Sequence, residues 1–234
     1  MMKNSFCALA VCAITATSVQ AVDSVQLQLT GKIAPSACTP TLVNGGVIDY
    51  GDISAADLKY SDLTVLPEKS IGLSISCSAP TPIALAASSN RKGTTALLAE
   101  NASGIAQHPS TSAAGRFQQK VGLGLTAGGE KIGGYSMWLQ DAKIGGVNAH
   151  PLFSDDLGSN WTNLTPGSYM GFYNAGISNA RYMSVAATAT STPSAISQLT
   201  GNIGVQAYIT KASELDLSQP ISLDGQSNIE IIYL

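Results

Sequence analysis

Apolar residues in this chain recur at every second position, in one segment after another. A period of two commits a polypeptide to pleated strands rather than helices. In SIGLSISC (70–77) the set is Ile71, Leu73, Ile75 and Cys77. VQLQLTGKI (25–33) sets Val25, Leu27 and Leu29 against Gln26 and Gln28, and NIEIIYL (228–234) sets Ile229, Ile231 and Tyr233 against Asn228 and Glu230. FQQKVGLGL (117–125), YSMWLQ (135–140), GSYMGFYN (167–174), RYMSVAATAT (181–190) and NIGVQAYIT (202–210) are further strand segments. The Gly-rich TAGGEKIGG between 117–125 and 135–140 predicts a hairpin or two close turns. Charged residues make up only 12% of the chain, so the Glu/Lys/Leu-rich windows of surface helices are missing. The best helical candidate is SAADLKY (54–60), where Ser54 and Asp57 can form a capping box for about one or two turns. Strands with turn signals between them at this spacing predict an antiparallel sandwich or barrel. The stretch 88–116 is small, polar and poorly periodic, which predicts a long loop or an inserted hairpin.

The first 21 residues are not part of that pattern. Lys3, an apolar run over Phe6–Ala16, and small residues at Val19 and Ala21 predict a secretory signal peptide cleaved after Ala21. The run is shorter than the ~20 residues a spanning helix needs, which disfavours a membrane anchor. Val11 before Cys12 disfavours a lipoprotein signal, which wants a small side chain there. The remaining 22–234 is expected to be one β-sandwich domain, exported and without a transmembrane segment. Lys3 leaves with the signal, so eleven Lys and Arg face fifteen Asp and Glu, with no basic cluster to attract nucleic acid. Cys7 and Cys12 leave too, and Cys38 and Cys77 remain as a lone pair. In an oxidising compartment they are expected to form a disulfide. Closing a loop of about 40 residues stabilises by roughly 4 kcal/mol on the chain-entropy model.

Catalytic chemistry is not legible. The two histidines, His108 and His150, each precede a proline, which predicts extended or turn backbone and exposure. Neither has a Cys or second His nearby to share a metal. There is no GxSxG elbow and no P-loop, and GLGLTAGG is followed by no helix pattern that would hold a phosphate. SDDLGSN (154–160) lacks the alternating oxygen ligands of a calcium loop and predicts a solvated turn. Trp138, on an alternating strand, is a core residue rather than a sugar platform. No enzyme activity, cofactor or metal is expected.

The last strand carries one charge, Glu230, and no proline, so nothing in it blunts an exposed edge. Two readings stay open: a docking edge completed by a strand from another chain, or a central strand of a complete sandwich. LTGKIAPSAC near the start, a second cysteine about 40 residues on, and a penultimate Tyr in the last strand resemble a chaperone–usher fimbrial subunit. ACTPTLVNGGVIDYGDIS, LPEKSIGLSISC, VGLGL…KIGGYSMWL and ASELDLSQPISLDGQSNIEIIYL resemble a family of fimbrial-like proteins of unknown function, some labelled probable beta-fimbria major subunits. The resemblance implies an incomplete immunoglobulin-like sandwich lacking its seventh strand. It implies a periplasmic chaperone that lends a strand, an outer-membrane usher, and other pilus subunits as partners. It assigns Ile229, Ile231, Tyr233 and Leu234 to the acceptor edge, Val25, Leu27 and Leu29 to a first or donor strand, and Cys38–Cys77 to a bridge tying the first strand to a neighbour. Periplasmic transit and then the cell surface follow as the location. Two departures stand against the pattern: only Val22–Ala37 precede the first cysteine, and Ile221 stands where such subunits carry glycine. The alternative to a fimbrial subunit is a self-complete secreted sandwich that binds a ligand or glycan as a monomer.

Overall fold

A computed structural model describes residues 26–31, 37–96, 98–108, 115–177 and 180–234. The predicted signal peptide and Val25 lie outside the described residues. The chain divides into a unit over Met1–Ala34 and a larger one over Pro35–Leu234. In the first unit, the described stretch 26–31 is in no strand, and Leu27 and Leu29 are exposed. The strand expected from the alternation over 25–33 is therefore not formed across these residues. Alternation distinguishes two faces of a segment; a ladder also requires a partner backbone.

The larger unit is all-β and antiparallel, as the alternation predicts. Its strands are β1 (Cys38–Leu42), β2 (Thr64–Val65), β3 (Lys69–Ser89), β4 (Ala106–Gln107), β5 (Gln119–Gly122), β6 (Gly133–Ile144) and β7 (Val147–Asn148), followed by β8 (His150–Ser154), β9 (Thr162–Asn163), β10 (Met170–Gly171), β11 (Tyr182–Ala186), β12 (Ala195–Ile209) and β13 (Ser227–Tyr233). β3 is the spine. Its first half pairs with β12, which pairs with β6, and β6 pairs with β5, β7 and β10. Its second half pairs with β11, which pairs with β8 and then β9. One strand thus feeds two layers of a sandwich-like fold, with a register irregularity opposite Ile196/Gln198 where it leaves the first layer.

The core follows from the alternation. Ile75, Leu85, Trp138, Phe172, Met183, Ile203 and Tyr208 are all buried. Trp138 sits opposite Gly204 of β12, where any Cβ would drive into the indole, so glycine is the residue that admits the ring. The Gly-rich connection forms the expected hairpin, with Val121 opposite Tyr135 and Thr126 N donating to Glu130 O at 2.8 Å.

SAADLKY forms a single 3-10 turn over Ala55–Asp57, with Ser54 Oγ accepting from Ala56 N at 3.2 Å. The described part of 88–116 holds the end of β3 and the short β4, which pairs with β5, joined by an anchored loop. Asn101 Oδ1 accepts from Ser103 N and Ile105 N, and its Nδ2 donates to Ala175 O and Ile177 O. Among the described residues, no helix is long and apolar enough to cross a membrane.

Candidate strand-docking cleft

Cys38 and Cys77 stand directly opposite each other in the β1–β3 ladder and are joined by a disulfide. β1 and β12 both pair with residues 74–76 of β3, so they occupy its two opposite edges. Further along, Pro82 is paired with Ala195 of β12 while its carbonyl accepts from Leu234 N. β13 therefore lies on the same edge as β1. The two strands run end to end along β3, and Cys38 N donates to Tyr233 Oη at 2.8 Å where they meet. Among the described residues each pairs only with β3, so the outer edge of both is open.

From these strands two segments lead away. After β1, Asn44, Gly45 and Gly46 adopt left-handed backbone, with φ of 52°, 65° and 84°. An Asn-Gly-Gly run tolerates this where most residues would not. The turn releases 47–53 from the edge of β3. Before β13 runs the second segment, 217–225. In the first, Ile48 and Tyr50 are half-buried while Asp49 is exposed; in the second, Ile221 and Leu223 are half-buried while Ser222 and Asp224 are exposed. Over 47–51 and 220–224 both carry the burial alternation of strands. Yet among the described residues no backbone–backbone hydrogen bond involves 48–53 or 217–223.

A cleft lies between them, mainly apolar in its first chamber and mixed in its second. One chamber of about 560 Å³ is walled by Leu42 of β1, Ile48, Tyr50, Leu223 and Ile229, over a floor of Leu73, Ile75, Leu85, Met137 and Val205. A second of about 670 Å³ continues from Ile48, Tyr50 and Leu223 toward Ile53, Leu58, Leu215 and Ile221. Leu73, Ile75, Leu85 and Met137 are buried, whereas Leu42, Ile71, Val205 and Ile229 are only half-buried. The wall on one side is anchored by polar contacts. Tyr135 Oη and Tyr173 Oη each lie 2.5 Å from Ser227 Oγ at the start of β13, and burial pushes both phenols above their ordinary pKa. Arg91 clamps Asp224 through its carboxylate at 2.7 and 2.9 Å and its carbonyl at 2.9 Å, and Asp224 N donates to Leu123 O.

The residues singled out in the sequence are distributed unevenly over this site. Ile229 lines the cleft. Ile231 packs against the core opposite Leu85. Tyr233 and Leu234 are half-exposed at the far end of β13, beside the disulfide. Sequence reasoning missed both flanking segments, because their alternation is broken by Gly51, Pro220 and the short apolar spacing. It also missed Ser227 and the two tyrosines, which converge from three separate elements.

Elsewhere, polar groups close on themselves. Asp156 in SDDLGSN accepts from Ser154 Oγ, Asn160 N and Asn160 Nδ2 at 2.6, 2.9 and 2.6 Å, and these bonds lower its carboxyl pKa to about 2. His150 and His108 are half-buried rather than exposed, and His150 Nδ1 lies 3.3 Å from Asn163 Oδ1. Among the described residues, no group of three or more His, Cys, Asp or Glu is arranged to hold a metal ion.

Residues 27–136 match the family described as "Protein of unknown function (DUF1120)". Along nearly its whole length the chain is similar to the protein GltF of Escherichia coli (strain K12), 30% identical over 257 aligned positions covering 99% of both chains. The chain belongs to this family. It is also similar to the uncharacterized protein YhcF of the same organism, 27% identical over 248 positions and 100% of both chains. Neither relative's name carries a fimbrial or chaperone–usher description, so the assembly role implied by the sequence resemblance stands as a proposal.

Proposed function

We propose that this protein is an exported structural subunit of fimbrial type that accepts a β-strand from another polypeptide into the cleft between 47–53 and 217–225. One observation carries the reading: two segments with strand-like burial flank a cleft whose first chamber is mainly apolar, and among the described residues neither makes a backbone–backbone hydrogen bond over 48–53 or 217–223. An inserted strand would supply backbone partners to the segments it passes and side chains to the trough, which is the chemistry of β-strand addition. Buried backbone groups otherwise find partners in the great majority of cases. In transit the donor is a periplasmic chaperone delivering to an outer-membrane usher; in the assembled fimbrium it is a neighbouring subunit.

The test is expression in the periplasm with and without a co-expressed chaperone. A strand acceptor aggregates or is degraded alone and accumulates as a complex when the chaperone is present. A stable, monodisperse monomer without help overturns the reading. Each chamber, at about 560 and 670 Å³, also falls within the ~300–1,000 Å³ typical of small-molecule sites, which favours the monomeric ligand-binding alternative. Native mass spectrometry of that monomer separates the two, because a retained apolar small molecule would establish the alternative.

A further inference from the structure

The cleft has a charge as well as a shape. Residues 47–58 contain Asp49, Asp52 and Asp57, and residues 212–224 contain Glu214, Asp216 and Asp224. These two short stretches hold six of the chain's fifteen acidic residues and none of its twelve Lys and Arg. They are also the segments that flank the second chamber, where Asp49 and Asp52 line the wall. Two of the six are neutralised, Asp224 by Arg91 at 2.7 Å and Glu214 by Lys211 at 3.6 Å. Asp49, Asp52, Asp57 and Asp216 are exposed and enter no ion pair among the described residues. Lys59 and Lys211 border the two stretches, and Lys69 donates its ammonium to the carbonyl of Asp49 at 2.6 Å and sits over the Tyr50 ring.

We infer that the cleft selects an extended segment that is apolar at alternate positions and carries lysine or arginine at the end occupying the second chamber. This rests on the strand-acceptor reading above and adds the charge of the partner to it. Like-signed charge gathered at an apolar opening focuses the field there, which raises the local concentration of oppositely charged ligands and penalises acidic competitors. The first chamber supplies burial for the apolar positions. The acidic rim of the second fixes which end of the incoming segment lies there.

Synthetic dodecapeptides of alternating valine and threonine provide the probes. One pair carries two lysines at the N-terminus or at the C-terminus; the matching pair carries glutamates at the same positions. Binding to the purified full-length exported protein is followed by fluorescence anisotropy. One lysine peptide is expected to bind about five- to tenfold more tightly than its glutamate counterpart at low ionic strength. The difference should collapse near 1 M salt, where the screening length falls to about 3 Å. In the Asp49→Asn, Asp52→Asn double variant, which keeps the Asp49 side-chain oxygen that accepts from Gly51 N, the preference should shrink at low salt as well. Equal binding of lysine and glutamate peptides overturns the charge selection and leaves the strand acceptor standing. Failure of all four peptides to bind overturns both.

Discussion

Lys120 is the side chain that fits its surroundings least. It is fully buried, its ammonium donates to Ser136 Oγ at 2.7 Å, and the Ser136 hydroxyl lies 2.9 Å from Gln119 O. Among the described residues it joins no ion pair, so no opposite charge offsets the cost of burying it. Burial lowers its pKa to about 8, from an ordinary 10.5. Between those values the unfolded chain holds a proton that the folded chain has released, so folding stability from this group rises with pH across that window. Below about pH 8 the cost is present in full. A shift of this size corresponds to about 3 kcal/mol. Lys120→Met, similar in length and free of charge, is therefore expected to raise the unfolding free energy at pH 7 by about 1–3 kcal/mol. The gain should fade as the pH approaches 10.5. Urea unfolding at the two pH values checks this, and a gain of equal size at both would contradict it.

At the scale of elements, legibility followed pairing. β6 and β12 declare themselves because each buries one face or both in a continuous ladder, and Met137, Leu139, Ile203 and Ala207 keep their period. The second half of β3 was hidden. Ile83, Ala84, Leu85, Ala86 and Ala87 are buried on both faces, which erases alternation, and Pro80 and Pro82 look like breakers until the irregularity beside them is seen. The last strand was legible as a strand, but which of its residues face the cleft was not, since that depends on the curl of β3. Its seating also depends on a residue with no pattern at all, Ser227, the shared partner of Tyr135 and Tyr173. Ser227→Ala leaves two buried phenols without that partner and is expected to cost about 1–3 kcal/mol. Arg91→Ala breaks a more exposed clamp on the same segment and should cost less, because water screens an exposed ion pair. Thermal or urea unfolding of the two variants ranks them, and a larger loss for Arg91→Ala would mean that the salt bridge rather than the hydroxyl cluster seats β13.

For the whole molecule, the disulfide and the cleft are one construction. The Cys38–Cys77 bond fastens β1 to β3, and β1 delivers the chain through the left-handed Asn44–Gly46 turn into 47–53, one wall of the trough. On the other side Ser227 and Asp224 hold the wall formed by 217–225. At their far ends the two segments are tied to each other, Ala212 N and Ser213 N donating to Lys59 O and Tyr60 O, yet among the described residues they carry no backbone ladder over 48–53 and 217–223. Their amides are thus predicted to exchange hydrogen fast in the isolated protein, while β3, β6 and β12 exchange only through global unfolding. Binding of a donor strand should slow exchange over 48–53 and 217–223 together, because one inserted backbone serves both walls. Reduction of the disulfide should lower stability by roughly 4 kcal/mol and weaken donor binding, since it frees the wall that β1 anchors. Hydrogen–deuterium exchange read by mass spectrometry on the free and donor-bound protein tests the pairing of these effects. Protection of either segment in the free protein would mean that the molecule closes its own trough, and protection of only one on binding would mean that the donor lies along an edge rather than between two walls.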